Sequence, residues 1–168
     1  MPEEEAKQRG SGRDETEGER LDRNLEELLG ELRVALPGVQ VLFAFLLVVP
    51  FNTRFASLEP YQERIYLATL LLAGVASALL IAPTAYHRIT FRLQDKQHLV
   101  MSSSRLTIAG LACLAAAMTG AILLVTDVVF SGATAGTSAG FVAAMFLVLW
   151  YLLPLRRRRV AEREQAVR

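Results

Sequence analysis

Four long runs without a charged side chain limit what this chain can fold into more than any motif does. Between Arg33 and Arg54 lie 20 uncharged residues, between Arg64 and Arg88 lie 23, between Arg105 and Asp127 lie 21, and Val128–Leu155 makes 28. A helix needs about 20 predominantly apolar residues to cross a bilayer, so each run has room for one span. The charge is gathered elsewhere, with 17 charged groups in residues 1–33 alone. A chain that is 52% apolar and 21% charged, with the two kept apart this sharply, is not an ordinary soluble domain. The expected fold class is all-α: an integral membrane four-helix bundle with a short amphipathic N-terminal helix and a disordered N-terminal tail.

The tail is read as residues 1–20, whose mixed charges, Gly and Ser leave too little apolar surface to bury. Residues 21–35 follow as an amphipathic helix, with Leu21, Leu25, Leu28, Leu29 and Leu32 at helical spacing and acidic groups opposite. Pro37-Gly38 is the expected end of that helix. Its acidic polar face argues against docking on anionic lipid and favours packing on the protein's own basic surfaces or on a partner. The four spans are placed at about 36–55, 64–86, 105–126 and 139–155, with "SGATAGTSAG" as the last linker and 156–168 as a basic tail. Residues 1–33 leave no room for the apolar core of a signal peptide, so the first span is expected to direct its own insertion. Pro60 suits the first turn of the second span, and Pro83 within it is expected to kink the helix.

Lys and Arg decide which way such a bundle faces. Residues 1–33 hold six, the loop between the second and third spans four, and the C-terminal tail six, against two in the first linker and none in the last. Four spans put the 16 on one side and the two on the other. The expectation is a bacterial plasma-membrane protein with both termini in the cytoplasm; 16 of the 18 basic residues are Arg, as in GC-rich genomes.

Candidate chemistry is sparse. Asp127 lies 22 residues beyond Arg105, about 33 Å along a helix, against a hydrocarbon core about 30 Å thick. That places it at the outer interface, where water, Arg54 or Arg64 can balance its charge. The alternative is an ion or proton site built from Asp127, Gln40 and Thr126. His87, Arg88, Arg92, Lys96 and Arg105 crowd the central loop and are candidate contacts for anionic lipid head groups. His87 and His98, with only Asp95 nearby, are too few for a metal site. Gly74 and Ala78, with Ala112, Ala116 and Gly120, fall at four-residue spacing and mark the second and third spans as the closest helix pair. Cys113, the single cysteine, is read as a packing residue in the third span. The arginine run Arg156–Arg159 is explained by orientation, and no nucleic-acid partner is expected. With no nucleotide loop, zinc-protease helix, catalytic serine elbow or haem motif, the protein is not expected to be an enzyme or to hold a cofactor.

The segments "LDRNLEELLGELRVALPGVQVLFAFLLVVPF", "APTAYHR", "SSRLTIAG" and "TGAILLVTDVVF" resemble a family of small actinobacterial four-span membrane proteins of unknown function. The likeness covers residues 21–155. Members of that family sometimes carry an automatic label of sodium/proton antiporter; the resemblance implies four spans and leaves the activity open, and the alternative activity, a small cation/proton antiporter-like carrier, rests on Asp127. The leading expectation is a membrane component that works by self-association, or by a protein partner at the N-terminal helix.

Overall fold

The computed structural model describes residues 17–90, 96–130 and 132–166, and these form a helical bundle. Helix α1 (Glu17–Val48) leads through two short 3-10 turns, Val49–Phe51 and Thr53–Ser57, into α2 (Pro60–Thr90). Then come α3 (Lys96–Phe130) and α4 (Gly132–Phe146), which runs on through a π-helical turn (Leu147–Leu152) into α5 (Leu153–Ala166). Four stretches are long and apolar enough to cross a membrane: Arg23–Phe51, Pro60–Ile89, Val100–Phe130 and Gly132–Arg159.

Two boundaries depart from the sequence reading. The amphipathic helix does not stop at Pro37-Gly38, because α1 is one helix of 32 residues with Pro37 inside it. Pro37 and Gly38 are both exposed, so the ring and the carbonyl it frees have room outside the bundle. The segment expected as the last linker is itself helical from Gly132. Gly is a poor helix former in water, but every backbone group inside a bilayer must be bonded within its own segment, and that demand overrides propensity. The Thr137 hydroxyl satisfies its own donor inside the helix, on the carbonyls of Ala133 and Thr134. Of the tail expected to be disordered, residues 17–20 already belong to α1, and residues 1–16 lie outside the described residues.

Burial follows a seven-residue repeat. On α1, Leu25, Leu32, Val39 and Leu46 are buried. On α3 the buried set is Ser103, Gly110, Ala117 and Leu124, with Leu114 between. On α2, Gln62, Tyr66, Thr69, Ala73, Ala76, Leu80 and Pro83 alternate at four and three residues. A strict heptad drifts around a straight helix unless the helices coil slightly left-handed, so this is the pattern of knobs-into-holes packing. The leucine seam of the N-terminal segment continues into the first span. Leu32 and Val39 join Ala76, Leu80 and Leu114 in one core cluster, on which Leu28, Leu29 and Trp150 pack.

The most extensive helix contact is α2 against α3, as small residues in both predict. The face differs in part from the expected one. A Cβ at Gly120 would run into the Thr69 hydroxyl, and one at Gly110 would lie 2.8 Å from Leu80 Cγ, so both glycines set the interhelical distance. Gly74 faces Phe43 of α1 at ordinary contact distance instead, and Ala78, Ala112 and Ala116 are exposed. Four-residue spacing recurs on several faces of an alanine-rich helix, and the heptad rather than the small residues selects the buried one. The backbones of α1, α2 and α3 approach one another, whereas that of α4 approaches only α3 among the long helices. Large apolar side chains cover the outside, Phe45, Val125 and Phe141 being 69%, 61% and 72% exposed.

Candidate functional site

The bundle has one end carrying the start of α1 and the end of α5 and another made of residues 49–59, the end of α3 and the start of α4. Polar side chains from three elements meet at this second end, the loop end. It is built from the turn outwards. Asn52 Oδ1 accepts from the Arg54 amide at 3.0 Å, and the Ser57 hydroxyl donates to the Arg54 carbonyl at 2.8 Å. These two short bonds fix the shape of the 3-10 turn that leads into α2.

The sequence Glu59-Pro60-Tyr61-Gln62 then starts α2 in a legible way. Pro60 occupies the first helical position, where no amide is needed. Gln62, two residues on, turns its side chain back so that Oε1 accepts from the Glu59 amide at 2.9 Å, half of a capping box. This bond fixes which way the amide points. Nε2 is left to donate to Asp127 Oδ2 on α3 at 2.8 Å. The Tyr61 hydroxyl donates to the same oxygen at 2.6 Å and accepts from Gln62 Nε2 at 3.3 Å. Gln62 is only 8% exposed and Asp127 is half-buried. Asp127 stands one turn before the end of α3, so the structure seats it at a helix end rather than at mid-span.

Neither Arg54 nor Arg64, the cations considered for Asp127, is within ion-pair distance of it; among the described residues neutral donors serve instead. Tyr61 and Gln62 went unnoticed in the sequence, although Pro at the first position and Gln at the third mark a capped helix start. Gln40 is exposed on α1 beside buried Val39, and the Thr126 hydroxyl bonds to the carbonyls of Ile122 and Leu123 in its own helix. Neither Gln40 nor Thr126 lines the polar hollow that Asp127 faces.

A second contact ties α1 to the same end. The Tyr66 hydroxyl, buried on α2, donates to the Leu46 carbonyl at 2.9 Å. Leu46 needs that donor because its helical partner would be the amide of residue 50, which is Pro50. The Phe55 ring meets the Tyr66 ring edge to face at 5.1 Å.

Two depressions flank these contacts. An apolar groove of about 650 Å³ runs between the end of α1, the 3-10 turns and α3, lined by Phe45, Phe51, Phe55, Leu124 and Val125 among others. A polar hollow of about 330 Å³ lies beside it, lined by Arg54, Ser57, Glu59, Gln62 and Asp127 together with Leu58 and Val128.

The opposite end holds the basic loop. His87 is half-buried in the last turn of α2, and Arg88 and Arg105 are exposed. Arg92, Asp95 and the side chains of Lys96 and His98 lie outside the described residues. Among the described residues no three His, Cys, Asp or Glu side chains are grouped as metal ligands. Cys113 is half-buried and packs against the core cluster that α1, α2 and α3 share.

Helices apolar on their outward faces as well as their packed ones belong in a bilayer, where lipid covers what the bundle leaves open. This is an all-α protein of the membrane-spanning class, with four helices long and apolar enough to cross. The chain belongs to the family of unknown function DUF6328, whose model matches residues 14–154. Comparison with curated proteins and with solved structures finds no match.

Proposed function

We propose that this protein is a non-enzymatic component of a bacterial plasma membrane that works by associating with a second copy of itself. The supporting observation is the position of α4. Among the described residues its backbone approaches only α3 of the long helices, and Gly132, Gly136 and Gly140 follow one another at four-residue spacing with open space around each. Small residues so spaced let two helices approach closely in lipid, where van der Waals contact and interhelical bonds replace the hydrophobic drive. The leucine seam of the N-terminal segment is already occupied by the protein's own core, which leaves its acidic face as the surface for a protein partner. The asymmetry of 16 basic residues against two supports cytoplasmic termini. Arg88 and Arg105 would then face anionic lipid of the inner leaflet. No role in nucleic-acid binding is proposed.

The test is energy transfer between donor- and acceptor-labelled full-length protein in liposomes, diluted with lipid. Transfer that survives dilution and falls to the random level in Gly136→Ile and Gly140→Ile supports the reading. Random transfer in the wild type at every dilution overturns it. Cysteines placed at Ser57 and Arg156 in a Cys113→Ala background report orientation: an impermeant thiol reagent outside intact cells should label the first and spare the second.

The hydrogen-bonded carboxylate beside an open hollow favours a second reading, a small cation/proton antiporter-like carrier with Asp127 as its ionisable group. Sodium, potassium and proton gradients across liposomes test it with a trapped pH dye. Cation-coupled proton movement that Asp127→Asn abolishes in a folded protein would displace the association reading.

A further inference from the structure

The apolar groove and the polar hollow are neighbours that share walls, since Arg54, Leu58 and Val128 line both. A single molecule filling the two needs a long apolar body and a compact polar head. The hollow presents one guanidinium, Arg54, and two carboxylates, Glu59 and Asp127. Among the described residues no ion pair joins them, and the two hydrogen bonds to Asp127 both fall on Oδ2. A simple anion would meet two carboxylates there, and a simple cation would meet Arg54. A head group carrying both charges meets its opposite twice.

We propose that groove and hollow form one site for a phospholipid with a phosphoethanolamine head group. The phosphate takes Arg54, the ammonium takes Asp127 Oδ1 and the Glu59 carboxylate, and one acyl chain lies along Phe45, Phe55 and Val125. Ethanolamine is preferred to choline because an ammonium donates three hydrogen bonds, whereas a trimethylated nitrogen donates none. The site is prepared in advance: Gln62 is held by the Glu59 amide and in turn holds Asp127, so the carboxylate is not ordered at the moment of binding. None of these residues belongs to α4, so the proposal stands apart from self-association.

The experiment is native mass spectrometry of the full-length protein, exchanged into detergent with equal amounts of phosphatidylethanolamine, phosphatidylcholine and phosphatidylglycerol of the same acyl chains. One retained phosphatidylethanolamine is expected, preferred about tenfold over phosphatidylcholine. Arg54→Gln should lower retention of both zwitterionic lipids. Asp127→Asn keeps acceptors for Gln62 and Tyr61, and it should erase the preference for ethanolamine over choline while total phospholipid stays bound. Glu59→Gln, at an exposed position, gives the same readout should Asp127→Asn fail to fold. Equal retention of the three lipids, a preference for phosphatidylglycerol, or an ethanolamine preference unchanged in the Asp127 and Glu59 variants would each overturn the proposal.

Discussion

Tyr66→Phe isolates one hydrogen bond, and its cost is calculable from the contacts around it. The substitution removes the hydroxyl alone. The ring, 6% exposed and edge to face with Phe55, keeps its packing, so no cavity forms. What is lost is the 2.9 Å bond to the Leu46 carbonyl. An unsatisfied buried acceptor costs about 1–3 kcal/mol, but interhelical hydrogen bonds within membranes average about 0.6 and reach about 1.7 kcal/mol. Pro50 denies Leu46 the helical donor that would otherwise take over, which sets the expectation at the upper part of the membrane range, about 1–1.7 kcal/mol. Equilibrium unfolding in mixed micelles, followed by far-ultraviolet circular dichroism, measures it. Pro50→Ala then supplies an amide one turn after Leu46, and in that background Tyr66→Phe should cost at least about 0.5 kcal/mol less, a coupling typical of groups sharing a partner. Equal costs in the two backgrounds would refute the reasoning, since the carbonyl would then not depend on Tyr66.

Three further substitutions test the packing and the turn. Gly120→Ala places a methyl against the Thr69 hydroxyl and should destabilise the α2–α3 pair by about 1–3 kcal/mol in the same unfolding assay, as overpacking does. Ala116→Leu, on an exposed position four residues earlier, should change stability by less than about 0.5 kcal/mol. Gln62→Ala strips the Glu59 amide of its acceptor and Asp127 of a donor, and should cost about 1–3 kcal/mol, a lost cap together with a lost bond to a charged group, read by the same unfolding curve. Cys113 should resist an impermeant maleimide in intact liposomes and react once detergent or denaturant opens the bundle, because it is half-buried within a span.

The charge-free runs were enough to read four helices, because a bilayer tolerates few charges and each gap had the length of a span. They could not say where a helix begins outside the apolar stretch. Gly132–Ala139 looks like a linker by propensity, yet it is helical, and only the membrane's demand for internal hydrogen bonds explains it. The pairing of α2 with α3 is legible from small residues, but the face only in part: Gly120 meets Thr69, whereas Ala78, Ala112 and Ala116 are exposed and as small as the buried Ala73, Ala76 and Ala117. The better signal was the repeat Leu25, Leu32, Val39, Leu46, which runs through both the acidic segment and the span and announces one continuous helix. Asp127 was noticed as a charge near a span's end. Its partners are neutral, a glutamine and a tyrosine at a capped helix start, and the search for a balancing charge in the sequence does not point to them.

The prolines account for much of what distinguishes the two ends. A proline in a helix frees a carbonyl one turn earlier, and beside exposed Pro37, whose freed carbonyl has room outside the bundle, three other prolines meet the problem in three further ways. Pro60 stands at the first position of α2, where nothing is lost. Pro154 cannot donate to Trp150, and the chain widens to a π-helical turn in which the Leu153 amide reaches back to Val148; helical backbone angles persist on both sides, so the span continues without a break. Pro50 is handled by a neighbour, the Tyr66 hydroxyl. The third solution differs from the others because it joins two helices. Together with Gln62, which links the start of α2 to Asp127 of α3, it ties α1, α2 and α3 at the loop end by directed bonds. Non-directional packing alone would let these helices slide by fractions of a turn, and the groove and hollow between them would change shape. Directed bonds hold the backbone at Arg54 on one side and the carboxylate of Asp127 on the other, the kind of support that the proposed head-group site requires.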